Sequence, residues 1–188
     1  MPAGITREEA LKLLGEHLKS EALIRHSLAT EAVLGALAER LGEDREKWAA
    51  AGLLHDLDLE STGADMTVHG LEAARILEER GLDPEVVDAV RRHNEQACGL
   101  PRETVFHHAL AAGETVTGLI QATALVYPDR RLASVKPRSI LKRMKEKAFA
   151  ASVNRDTVRE CEQAGIPLAE FCEISLRAMQ GIHEDLGL

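Results

Sequence analysis

Ala49-Ala50-Ala51-Gly52-Leu53-Leu54-His55-Asp56 is an apolar run that closes on an ionisable pair. The run reads as buried helix, and two titratable side chains at its end are costly there unless something satisfies them. A metal ion is one such partner. His26 lies upstream of the pair, and His69, His93 and Glu114 follow it, each on or beside a segment with helical periodicity. Imidazoles and carboxylates spread over several helices meet only if those helices pack round one site. The pattern points to metal chemistry in an all-helical chain.

Outward from that stretch, helix signals recur and strand signals almost never do. Asp44 precedes the helix that ends at His55. Upstream, Ser20 can cap a helix whose Leu23, Ile24, Leu28, Ala32, Val33, Ala36, Leu37 and Leu41 recur at helical spacing. Before it, Thr6 with Glu9 forms a capping-box pattern that opens a helix through about Lys19. Downstream, residues 57–66 read as a loop, and Thr67 opens a helix to about Arg80, stopped by Gly81. Asp83-Pro84 is a cap followed by a first-turn proline, leading a helix to about Asn94. After the Cys98-Gly99-Leu100-Pro101 turn a longer helix runs from about Glu103 to Val126, ended by Tyr127-Pro128-Asp129. Pro137 and Pro167 stand where first-turn prolines belong, with Asn154 capping a short helix between them. No repeat or linker divides the chain. The expected fold is all-α: one domain over residues 1–188, a bundle of about eight or nine helices, its motif-bearing core at about 20–126 and helices from 137–186 packed on it.

Composition narrows the function class. Aromatic residues make up 3% of the 188, so the core must be built of Leu, Ala, Val and Ile, and Trp48, Tyr127 and the three Phe are too dispersed to suggest a base-stacking pocket. No segment approaches the ~20 apolar residues of a membrane span, and the N-terminus lacks a signal-peptide pattern. Cys98, Cys161 and Cys172 are odd in number without C-x-x-C spacing, which fits a reduced, cytoplasmic protein. A net charge of −8 argues against general nucleic-acid binding. The charge is uneven, however: residues 130–147 hold eight Lys/Arg against Glu146 alone, a local +7 that leaves −15 elsewhere. That segment reads either as a solvated helix face or as an anion-binding one.

The faces of the helices sort the candidates. His26 is in line with Ala29, Val33 and Leu37; His93 shares a face with Val86, Ala89 and Val90; Glu114 lines up with Leu110, Ala111 and Gly118. Three ionisable groups on inward faces exceed what an ordinary core holds. Any one alone is explained by a core histidine bonded to a backbone carbonyl, and His17, His107, His108 and His183 are read that way, with His107 close enough to Glu114 to support the site from behind.

The order His26, then His55-Asp56 behind Gly52-Leu53-Leu54, then a distant carboxylate on a later helix, resembles the HD-domain superfamily of metal-dependent phosphohydrolases over roughly residues 20–126. The resemblance implies an all-helical fold in which His26, His55, Asp56 and Glu114 hold one metal. His69 and His93 match the further histidines of dinuclear HD branches, where the aspartate of the pair bridges two ions; a phosphate contact is the other role open to them. Two departures stand out. Similar proteins open an Asp-Glu-Leu-Thr-Gly-like run with aspartate, whereas this chain reads Glu114-Thr115-Val116-Thr117-Gly118, and the extra methylene shifts and loosens the carboxylate. The loop His55-Asp56-Leu57-Asp58-Leu59-Glu60 also lacks the lysine of the commoner His-Asp-Ile-Gly-Lys version. Asp58 and Glu60 serve there as supports of the ligands, as a base, or as solvated loop acids.

Nitrogen and carboxylate ligands suit one or two divalent Mn, Fe, Co, Ni or Zn ions, with Asp56 and Asp58 as candidate catalytic carboxylates. Arg138, Lys142 and Lys145 fall on one stripe of the Pro137 helix, opposite Ile140, Leu141 and Met144, and are the candidate substrate-binding residues for a small phosphorylated metabolite or nucleotide. Arg25 and Arg92, next to two ligand candidates, are weaker phosphate contacts, because adjacency on a helix turns a side chain about 100° away. Asp129 is a possible substitute for Glu114. Two other functions stay open: a mixed-valent di-iron oxygenase, as in some dinuclear HD relatives, and a non-catalytic binding module. The sequence leaves homo-oligomerisation open.

Overall fold

The computed structural model describes residues 3–188, and every regular element in it is helical. The helices are α1 (Arg7–His17), α2 (Glu21–Leu41), α3 (Arg45–Leu54), α4 (Leu71–Glu79), α5 (Pro84–Arg92), α6 (Glu95–Cys98), α7 (Val105–Leu125), α8 (Pro137–Lys145), α9 (Arg155–Arg159), α10 (Leu168–Gly181) and α11 (His183–Leu186). Short 3-10 turns at Leu132–Ser134 and Glu160–Glu162 join the later ones. The count exceeds eight or nine because α6 and α11 are single four-residue turns that no periodicity can reveal.

Most boundaries follow local chemistry. Thr6 and Glu9 form the reciprocal capping box at α1, Asp44 accepts the Lys47 N–H at α3, and Asp83 accepts the Glu85 N–H ahead of Pro84 at α5. Asn154 caps α9 and Pro137 opens α8. Pro167 stands one place earlier than expected, in the N-cap position of α10. Two starts depart from the reading. Ser20 occupies the N-cap of α2, but its hydroxyl caps nothing. Residues 66–70 form turns, so α4 begins at Leu71 rather than Thr67, after Gly70 at φ 92°.

One hydrophobic cluster runs from Ala10 to Leu186. At its centre α2 lies along α3, α7 and α10. The α2–α3 seam is unusually close: a Cβ on Gly52 would sit 2.7 Å from the Thr30 carbonyl oxygen. Small residues let two helix backbones approach in this way, which brings the His26 segment of α2 against the end of α3. Among the described residues no helix is long and apolar enough to cross a membrane.

Candidate metal centre

Five elements deliver the six candidate ligands to one place. His26 comes from the second turn of α2, His55 and Asp56 from the end of α3, His69 from the turn before α4, His93 from the end of α5, and Glu114 from the middle of α7. The ligand atoms of His26, His55 and Glu114 lie within 4.8 Å of one another, as do those of Asp56, His69 and His93. The Asp56 carboxylate, a member of the second triad, also faces two rings of the first, His26 and His55. Its Oδ2 is 3.5 Å from His26 Nε2, while its Oδ1 is 3.3, 3.2 and 3.8 Å from Nε2 of His55, His69 and His93.

The far side of each imidazole is tied down. Nδ1 of His55 donates to the Gly52 carbonyl (2.8 Å), Nδ1 of His93 to the Val90 carbonyl (2.6 Å), and Nδ1 of His69 to Asp58 (2.7 Å). His26 Nδ1 donates to the Thr117 hydroxyl (3.0 Å), whose own proton goes to the Glu114 carbonyl. With every Nδ1 acting as donor, each Nε2 of the neutral ring carries a lone pair. These lone pairs point at each other: His26 to His55 at 3.2 Å, and His69 to His93 at 3.0 Å. Two acceptors at hydrogen-bond distance repel unless a cation or proton lies between them. The donor set therefore fits divalent ions, held by nitrogen and carboxylate oxygen together.

The electrostatics agree. Burial pushes His55 down to about 3 and also lowers His93, so both rings stay neutral. Burial opposes the charge on Asp56, yet the surrounding imidazoles, His55 first, hold that carboxylate well below the usual range. Burial likewise opposes protonation of His69, but Asp56 and Asp58 outweigh it and raise the ring to about 9, a proton standing where a metal would. Burial lifts Glu114 to about 8; the Thr115 hydroxyl works against that and the Asp56 charge with it. His26 has 24% of its side chain exposed, against 9% or less for His55, Asp56, His69 and His93.

Of the roles open to the loop acids, Asp58 fits support of a candidate ligand rather than a base or a solvated acid, and Glu60 fits none of them. Asp58 is fully buried, and its second oxygen accepts the N–H groups of Gly70 and Ala73 at 2.7 and 3.0 Å. It thus orients His69 and caps α4 from a distance, with both oxygens engaged and the side chain closed to solvent. Glu60 accepts the N–H groups of Lys19 and Ser20 and so caps α2. The sequence reading also missed Thr117, which holds His26, and Asn94, whose amide donates to the carbonyls of Met66 and His69 and fixes the loop. Both follow a ligand candidate by one or three residues, the only signal that marked them.

Other candidates lie apart. Arg138, Lys142 and Lys145 are exposed on α8, which packs on α7 and α10, and no hydrogen bond or ion pair joins them to the six ligands among the described residues. Arg25 pairs with Glu21, and Arg92 with Asp88 and Glu103. Asp129 is exposed and bonds Ser134, which removes it as a substitute for Glu114. His107 accepts the Glu103 and Thr104 N–H groups at the start of α7 and reaches Asp88, and His108 bonds Glu160. His17 is half-buried and His183 exposed, and neither joins either triad.

The pattern of the HD domain family matches residues 23–121, which takes in every ligand named above. Ribonuclease Y of Mycoplasma mycoides is 35% identical over 96 residues, covering 46% of this chain and 22% of that protein. Ribonuclease Y of Nitratidesulfovibrio vulgaris is 29% identical over 114 residues (58% and 21%), and that of Deinococcus radiodurans 26% over 144 residues (73% and 24%). The chain spans about a fifth to a quarter of the length of these relatives. No solved structure gives a significant match.

Proposed function

This chain belongs to the HD domain family, and on that premise we propose that it is a metal-dependent phosphohydrolase of a small phosphorylated metabolite or nucleotide. The observation that carries the reading is the convergence of four Nδ1-anchored imidazoles on Asp56, their Nε2 lone pairs facing one another at 3.0 and 3.2 Å. His26, His55 and Glu114 would hold one divalent ion and His69 and His93 another, with Asp56 between them. Bound ions would supply Lewis acidity and acidify water, as Mn, Fe, Co, Ni or Zn do in such nitrogen–oxygen sites.

The protein's own part is placement. Thr117 and Asp58 fix the tautomers of His26 and His69, so no ring has to turn when the site is filled. Asp56 stays ionised, with Oδ2 toward His26 and Oδ1 toward His55, His69 and His93. The exposed edge of His26 is the side from which a phosphate enters, and the Arg138, Lys142 and Lys145 stripe raises the local concentration of an anion. Three unpaired cysteines, two of them buried, agree with a reducing cytoplasm, and the unbroken core supports one domain over residues 1–188.

The relatives named Ribonuclease Y favour a second substrate class, the phosphodiester, against the expectation drawn from the charge of −8. Full-length protein purified without chelator should carry one or two Mn, Ni or Zn ions and cleave p-nitrophenyl phosphate. Preference for bis(p-nitrophenyl) phosphate or an oligoribonucleotide would move the assignment to diesters. Two irons with visible absorption would move it to oxygen chemistry, and a metal-free, inactive protein to a binding module.

A further inference from the structure

A second polar cluster lies behind the His93 half of the centre, built around Arg102. This residue sits in the segment between α6 and α7, with 9% of its side chain exposed. A guanidinium has five N–H groups, and here four hydrogen bonds and one further ion pair engage all three nitrogens. Nε and Nη2 donate to the two oxygens of Glu160 at 2.7 and 2.8 Å; Nη2 also reaches Glu95 at 3.0 Å. Nη1 donates to the backbone carbonyls of Arg92 and His93 at 3.2 and 3.0 Å. Those carbonyls belong to the end of α5, where helix geometry leaves acceptors without partners. Arg102 is thus engaged on all sides and is closed to a substrate.

Glu160 is the unexpected member. It lies beyond residue 121, outside the family match, in the turn after α9. Its carboxylate takes both Arg102 prongs and His108 Nδ1 at 2.8 Å. We propose that Glu160 is a positioning residue: through Arg102 it fixes the backbone of His93, and so the half of the centre formed by Asp56, His69 and His93. The inference rests on the metal-centre reading above. It makes the C-terminal helices part of the site's support.

Equilibrium dialysis of full-length protein against Mn2+ tests it, using the parent, Glu160→Gln, and Glu170→Gln as a control that breaks the surface pair with Arg40. The expected result is two Mn2+ equivalents in the parent and control, with one equivalent in Glu160→Gln weakened about ten- to a hundredfold and the other within about twofold. Unchanged affinities, or equal weakening of both, would overturn the role of Glu160. Should Glu160→Gln lose its native circular dichroism, Glu160→Asp is read by the same criteria. A parent that binds no Mn2+ is a different failure, since it removes the metal centre itself.

Discussion

Both oxygens of Asp58 are engaged inside the protein, and that separates it from Asp56, whose oxygens face the ligand rings. Asp58→Asn should weaken one metal equivalent about 10–100-fold and lower stability by about 1–3 kcal/mol, through loss of His69 orientation and of a charged cap. Dialysis and urea titration measure both; intact metal binding with turnover abolished would instead make Asp58 a base. Glu114 gives the complementary case. If its extra methylene only displaces the carboxylate, Glu114→Asp should keep the fold and hold metal at least as well as the parent, while Glu114→Ala should lose an equivalent. Equal metal content in the Ala variant and the parent would take Glu114 out of the site. The candidate ligands were legible from the sequence because motif order marks all six, and for His26, His93 and Glu114 an inward helix face agrees with it. Their supports were less so, since Thr117, Asn94 and Arg102 look like ordinary helix or loop residues until the chain is folded.

Among the elements, helices whose N-cap side chain bonds their own first turn were readable in place and in chemistry, whereas for α2 only the place was readable and for α4 neither. Thr6, Asp44, Asp83 and Asn154 act on N–H groups within three residues of themselves. The start of α4 is satisfied by Asp58, 12 to 15 residues away in sequence, and that of α2 by Glu60, 40 residues away. Local pattern has no access to such contacts, and so it points to Thr67 where the helix starts at Leu71. The α2–α3 seam carries its own prediction. Gly52→Ala places a methyl group against the Thr30 backbone, which cannot rotate aside as a side chain can. A stability loss of about 2–3 kcal/mol is expected, read from the urea midpoint. Metal affinity should fall with it, because the same seam sets the distance between His26 and His55. At Gly70 a side chain would face both an unfavourable φ of 92° and the His93 ring 3.0 Å from its Cβ.

At the scale of the whole molecule, the Arg102–Glu160–His108 cluster links the start of α7 to the turn after α9 and gives a pH signature. Burial opposes the Glu160 charge, but Arg102 and His108 hold the carboxylate below its ordinary range. The unfolded chain takes up that proton near pH ~4.3, the folded chain only at lower pH. The stabilisation is therefore complete above the ordinary glutamate range and is lost as pH falls through the depressed value. Urea titrations at neutral pH and in the acid range should show a shallower acid loss for Glu160→Gln than for the parent; parallel curves would deny the linkage. The basic stripe is tested by salt. Reversing Arg138, Lys142 and Lys145 to Glu should lower kcat/KM for a phosphorylated substrate at low ionic strength, and the difference should fade as salt rises. No difference at low salt would leave the stripe a solvated face.

Trp48 is the chain's one tryptophan, 3% exposed on α3 and stacked on Phe106 of α7 with centroids 4.8 Å apart and planes 6° from parallel. One partner in that stack rides on the helix that ends at His55, the other on the helix that presents Glu114. The indole is thus a built-in optical gauge of the gap between two ligand-bearing helices. Its emission should be blue-shifted in the native protein and, if His55 and Glu114 hold an ion as proposed, should change on metal addition, so occupancy can be followed by intrinsic fluorescence without any added label.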